Sequence, residues 1–301
     1  MRWAALLLSL LATASEARPL QLLHSLTIES REANLQLSGL AFCDGELLTI
    51  SDRHNNQLYR LQLETERGLA HAMDWRSIQA PPSSDQGVWG WAISLFSGRR
   101  LDWEGLACQG ETLYLLSEQL SDVLLSSRNE TRWLKFPQLS VGGMLRHTNA
   151  GLEGIALHEE GVLLAAERDA RGLLLLVPDG DRWTLQRQQT PLPPLPPIAD
   201  RNPDFSGLWY ESPWLYTLER NLFRICRRDS GFQQQRCWSY ADTELSPARS
   251  YRSEFGVAEG IAADETRIYL ITDNNNKALL AAPHDRRPQL WIFAKPDDWS
   301  H

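Results

Sequence analysis

The sequence is short of several things, and each shortage excludes a class of protein. Beyond its first seventeen residues no apolar run approaches the roughly 18 residues of a membrane helix, so a helical membrane span is not expected. No basic cluster relieves a net charge of −8, from 30 basic and 38 acidic side chains, and such a chain repels nucleic acid. The four cysteines lack the short Cys-x2–4-Cys spacing of zinc sites, and helical periodicity is nowhere sustained, which excludes a helical solenoid. There is no Gly-x-Ser-x-Gly elbow and no phosphate-binding glycine loop. His158-Glu159-Glu160 stops short of a His-Glu-x-x-His metal motif, and Arg146-His147-Thr148 lacks the continuation of a histidine phosphatase.

What remains is a globular composition of 301 residues, 43% apolar and 23% charged, with an excess of tryptophan at 12. Arg2, the apolar stretch Ala4 to Ala12 and the small residues around Ala12-Thr13-Ala14 and Ser15-Glu16-Ala17 read as an export signal over residues 1–17. Residues 18–301 then form one domain, soluble in the periplasm or outside the cell. The even number of cysteines suits that compartment. Cys226 and Cys237 flank the turn residues Asp229-Ser230-Gly231, so a hairpin brings them together as a disulfide; Cys43 and Cys108 hold similar places in two repeats and either pair or stay as thiols.

The repeat is the strongest signal. Copies open at Ser38-Gly39, Glu104-Gly105, Glu153-Gly154, Ser206-Gly207 and Glu259-Gly260, each followed by an apolar strand, a turn and a second apolar strand that closes on an acid. The closing acids are Asp52, Glu118, Glu167, Glu219 and Asp273, 13 residues beyond the glycine in four copies and 12 in the fourth. A third apolar stretch and a more polar fourth complete each unit, the last copy using Ala278 to Ala282 and Gln289 to Phe293. Four-stranded antiparallel units of about 50 residues are the mark of an all-β propeller. Five blades are favoured; six stay open, because Ala70 to Leu101 is an insertion or a degenerate blade and Gln21 to Ile28 an extra strand able to close the ring.

In such a ring the start of each first strand and the end of each second strand lie at one mouth of the channel. Glu104, Glu153, Glu259, Asp52 and Asp273 are therefore candidate metal ligands, with Glu118, Glu167 and Glu219 as further mouth acids. Crowded carboxylates raise one another's pKa and call for a cation, and Ca2+ suits oxygen donors in irregular geometry. Salt bridges to Arg53, Arg168 and Arg220, each directly after an acid, are the other reading. His54 and His147, near the mouth, are the candidate catalytic bases for a metal-assisted hydrolysis. The rival to an enzyme is a rigid platform binding a sugar, peptide or envelope protein, with Trp75, Trp89, Trp91 and Trp103 near the insertion as an aromatic surface.

The runs Leu37-Ser38-Gly39-Leu40-Ala41 to Ser51-Asp52-Arg53, and Leu152-Glu153-Gly154-Ile155-Ala156 to Ala166-Glu167-Arg168, resemble the phytase-like ("esterase-like activity of phytase") domain family. The resemblance implies an exported β-propeller that hydrolyses a small-molecule ester or phosphoester. More distantly, gluconolactonase-like and paraoxonase-like propellers hold a catalytic calcium at the channel mouth, and by position Glu104, Glu153, Glu259, Asp52 and Asp273 correspond. Ser38 and Ser206 break the pattern, which places such a site off the axis.

Overall fold

The structure, a computed structural model, describes residues 17–82, 101–134, 136, 151–167, 171–189 and 202–301. Residues 1–16 of the export segment, His147, Arg168, Trp89 and Trp91 lie outside the described residues. In chain order, β1 (Arg18–Pro19) and β2 (Leu22–Ser30) precede a first blade of β3 (Leu37–Cys43), β4 (Glu46–Ser51), β5 (Gln57–Glu64) and β6 (Leu69–Ser77). The second blade is β7 (Trp103–Gln109), β8 (Thr112–Ser117), β9 (Asp122–Ser126) and β10 (Thr131–Trp133); the third is β11 (Leu152–His158), β12 (Gly161–Ala166), β13 (Gly172–Asp179) and β14 (Arg182–Gln189). The fourth is β15 (Gly207–Glu211), β16 (Trp214–Glu219), β17 (Arg224–Arg228) and β18 (Gln234–Ser239), and the fifth begins with β19 (Ala258–Ala263), β20 (Arg267–Thr272) and β21 (Gln289–Ala294).

The innermost strands neighbour one another in the order β3, β7, β11, β15, β19 and back to β3, which closes a ring of five blades. The N-terminal β2 completes the fifth blade, antiparallel to β21 through pairs such as Leu26 with Leu290, and then runs parallel to β6 from Thr27–Leu69 to Ser30–Ala72. The early strand thus closes the ring, and the sixth blade is not needed. The described start of the stretch Ala70 to Leu101 belongs to β6, the fourth strand of blade one, and residues 83–100 lie outside the described residues. The stretch Ala278 to Ala282, expected as the third strand of blade five, is a loop held by one bridge, Tyr251 with Leu279; β21 is the third strand. Ala278 and Leu279 are buried by packing, not by pairing, and an apolar pattern alone does not separate the two.

Each gap between blades holds its own apolar cluster. Leu48, Ile50 and Leu58 meet Leu106, Leu115 and Leu124 between blades one and two. Tyr216, Ile225 and Trp238 meet Ile261, Leu270 and Trp291 between blades four and five. The tryptophan excess serves this packing: Trp103 is fully buried and stacks on Trp133, and Trp299 near the C terminus stacks on Tyr216 with ring centres 4.0 Å apart. Only Trp75 of the described insertion tryptophans is exposed. Cys226 and Cys237 face each other across β17 and β18 and form the expected disulfide, and Cys43–Cys108 is a second, joining β3 to β7 across two blades.

The repeated glycine marks where five inner strands crowd round a narrow axis. A Cβ on Gly260 would lie 2.8 Å from the backbone N of Leu40, and one on Gly154 would lie 2.8 Å from Leu208 Cγ, each on the following blade. Gly260→Ala presses on backbone, which has nowhere to yield, and is expected to cost about 1–3 kcal/mol in chemical denaturation. A cost below about 0.5 kcal/mol, the range of a neutral surface change, would show that the ring is looser than this close approach implies.

Candidate active site at the channel mouth

The inner strands do not enter the mouth in regular register. Opposite β8, Trp103 pairs with Ser117 and Gly105 with Leu116, which leaves Glu104 as an extra residue. Glu153 is skipped in the same way between Leu152–Ala166 and Gly154–Ala165, and Glu259 between Ala258–Thr272 and Gly260–Ile271. A bulge of this kind re-aims its extra side chain, and here it turns three glutamates toward one space. The two serine openings stitch blades together instead: Ser206 Oγ donates to the Ala258 carbonyl at 2.7 Å, and Ser38 Oγ donates to the Trp103 carbonyl. Below the acids the channel narrows, between Leu40, Leu106, Ile155, Leu208 and Ile261, to a void of about 10 Å³, so the mouth is a cup and not a passage.

The Arg220 guanidinium occupies the cup. Arg220 bonds Glu167 at 2.6 Å and Asp204 at 2.7 Å, also bonds Glu259, and stands 3.6 Å from Glu153. All five side chains are at least nine-tenths buried. The residue just past each second strand is Asp52, Glu118, Glu167, Arg220 and Asp273, each 13 residues beyond its glycine. The fourth copy therefore carries an arginine where the others carry an acid. Glu219, one residue earlier, belongs to the opposite face, because side chains alternate along a strand. It is not a mouth acid: Arg224 at 2.7 Å, Arg228 at 2.8 Å and Arg171 at 3.7 Å hold it. Burial works against its charge, yet those guanidinium groups keep it below the usual carboxylate range.

On the other side of the cup, carboxylate oxygens of Asp102, Glu104 and Glu118 all lie within 4.8 Å of one another, and those of Glu118, Glu153 and Glu167 form a second such group. Glu118 Oε1 accepts the Gly151 N–H at 3.3 Å, and Gly151 has no room for a Cβ beside that side chain. Burial, followed by the charges of Glu259, Asp102, Glu118 and Asp52, pushes the Glu104 carboxyl well above its ordinary range. No hydrogen bond to Glu104 and no cation within ion-pairing distance of it occurs among the described residues. Burial also raises Glu153 and Glu259 against the pull of Arg220, and raises Asp273 to about 6 although the Asn275 N–H donates to it. Asp52 stands 3.4 Å from Arg53.

His54 lies in the turn after β4, edge-on to Tyr59 with ring centres 6.4 Å apart, and its buried Nε2 has no hydrogen-bond partner among the described residues. Among the described residues neither a hydrogen bond nor an ion pair joins its ring to the acids. The repeat anticipates Arg220 only as a salt-bridge partner of the acids, and two further residues of the cluster were not expected from it: Asp102 and Asp204. The last two share a register, two residues before the opening with an aromatic between, as Asp102-Trp103-Glu104-Gly105 and Asp204-Phe205-Ser206-Gly207. The donors are all hard oxygens, with no imidazole or thiolate among them, and their spacing lets one ion touch three carboxylates. That set fits calcium or magnesium and does not fit a zinc centre.

No protein-family model matches the chain, and no curated protein does. In fold it is similar to the glutaminyl cyclase of Myxococcus xanthus, with 16% identity, 92% of this chain and 99% of that chain covered, and a TM-score of 0.56. Weaker likenesses are the PQQ-bound aldose sugar dehydrogenase of Streptomyces coelicolor (12% identity, 91% and 98% covered, TM-score 0.46) and a gluconolactonase of Xanthomonas campestris (9%, 92% and 96%, 0.41). These neighbours are β-propeller enzymes. The first likeness supports the fold.

Proposed function

We propose that this protein is an exported, metal-dependent hydrolase of a small ester, lactone or phosphoester, of the phytase-like kind that its repeat motifs resemble. A hard divalent cation, calcium by the chemistry of the donors, is held by Asp102, Glu104 and Glu118. The observation that carries this reading is Glu104: a carboxylate turned into the cup by a bulge, beside two further carboxylates, with no ion-pairing cation among the described residues. A cation bound there supplies Lewis acidity toward a carbonyl or phosphoryl oxygen. Glu153 and Glu259, held ready to exchange a proton by burial and steadied by Arg220, are the candidates to take a proton from water. The two disulfides support a compartment outside the cytoplasm, and no helix among the described residues is long and apolar enough to cross a membrane.

Calorimetric titration of calcium into the EDTA-treated protein tests the site, and a panel of lactones, aryl esters and phosphate monoesters tests the chemistry. Binding in the 10⁻⁵ to 10⁻³ M range, lost in Glu104→Gln, is the expected result. Calcium-dependent turnover of one substrate class, reduced about 100-fold or more by the same change, completes it. No heat of binding with calcium or magnesium overturns the reading in favour of a binding platform. An N-terminal glutaminyl peptide belongs in the panel because of the fold it shares with a glutaminyl cyclase, and turnover of that substrate alone would replace hydrolysis by cyclisation.

A further inference from the structure

Beside the acidic cup lies a separate cavity of about 580 Å³. Asp204, Arg220 and Asn221 line it on the cup side, and the segment 252–256 with Lys277 lines it on the other. That segment is well anchored for a loop. The Arg252 N–H donates to the Ala278 carbonyl at 3.0 Å, the Gly256 N–H to Asn221 Oδ1 at 3.1 Å and the Val257 N–H to Glu244 Oε1 at 2.9 Å. Gly256 lies so close to Arg220 that a Cβ would be 2.5 Å from its carbonyl oxygen, so the loop and the central guanidinium are packed as one unit.

The charges of this cavity differ from those of the cup. Asp204 and Arg220 satisfy each other, which leaves Arg252 and Lys277 against Glu254. Arg252 and Lys277 are exposed, and neither has an acidic partner within 4 Å among the described residues. Next to them Phe255, 54% exposed, offers an apolar surface inside the same cavity. A pair of free cations and an aromatic face at the edge of a carboxylate cluster is an arrangement for a ligand with an anionic end and an apolar body.

We infer that this cavity is the substrate's anion subsite: Arg252 and Lys277 hold a carboxylate or phosphate group, Phe255 packs against the apolar part beside it, and the ligand extends toward the cup. The inference rests on the proposed hydrolase only for what happens at the far end of the ligand. It explains how an acidic mouth keeps an anionic substrate, since the attraction is placed to one side of the repelling carboxylates.

Phenyl phosphate and benzoate, with phenol as the neutral control, are titrated into the protein by NMR or calorimetry in EDTA and again with calcium. Saturable binding of at least one anion in EDTA is expected, about tenfold tighter than phenol and about tenfold weaker in Arg252→Gln/Lys277→Gln, whose melting temperature stays at the wild-type value. Preference between the two anions tells a phosphate ligand from a carboxylate one. Binding of phenol as tight as the anions, unchanged affinity in the double variant, or anion binding seen only with calcium overturns the subsite. Loss of calcium binding with the EDTA titration intact would instead overturn the metal reading and leave the subsite standing.

Discussion

Arg220→Met is expected to lower the free energy of unfolding by about 3–5 kcal/mol at pH 7.5, because removing a partner that several buried carboxylates share leaves their charge less well compensated. Four carboxylates from three blades converge on this side chain. They answer its removal by taking up protons, so the loss should shrink at pH 5, where protonation of Glu153 and Glu259 is easier. Arg220→Lys keeps the charge but not the planar fork that reaches Asp204, Glu167 and Glu259 at once, and an intermediate loss is expected. Urea denaturation of both variants at the two pH values is the measurement. If Arg220→Met lies within about 0.5 kcal/mol of wild type at pH 7.5, Arg220 does not neutralise the cluster. The lysine variant keeps the comparison informative should the methionine variant fail to fold.

The ring was legible because its physical requirements fall on particular residues. A bulge followed by a close approach between inner strands demands Glu-Gly or Ser-Gly at a fixed distance from the next strand end, and that spacing is written in the sequence five times. Closure was harder: β2 looks like any half-buried strand, and its partner β21 lies more than 250 residues away. The fourth copy misleads for a different reason. Following the acid instead of the spacing selects Glu219, whereas the constant spacing of 13 selects Arg220, and a slip of one residue exchanges the two faces of the strand. Asp102 and Asp204 precede the repeat's opening and so fell outside it, although the aromatic residue between acid and opening marks both.

A second large effect is expected from pH and cation together. Asp273 has its folded pKa raised from 3.8 to about 6, so its contribution is present when it is protonated and is lost as pH rises through that value. The loss amounts to about 3 kcal/mol in all, roughly half of it above pH 5. Glu104, raised well above its ordinary range, adds in the same direction. Carboxylates held low by partners, such as Glu219, Asp264 and Asp298, act oppositely, but they lose their contribution only below the ordinary carboxylate range. Between pH 5 and 8 the raised groups therefore set the slope. In EDTA the melting temperature should fall by roughly 5–10 °C across that window. Calcium at 100 times its dissociation constant should restore about 2.7 kcal/mol at pH 8, because it binds the ionised cluster, and should do little at pH 5, where protons compete. Glu104→Gln removes a charge that the cup does not compensate, so that variant should be more stable than wild type at pH 8 in EDTA and indifferent to calcium. A melting temperature that is flat or rises from pH 5 to 8 in EDTA would falsify the assignment of a strained acidic cup. A calcium effect that survives Glu104→Gln would move the cation away from the Asp102, Glu104 and Glu118 group.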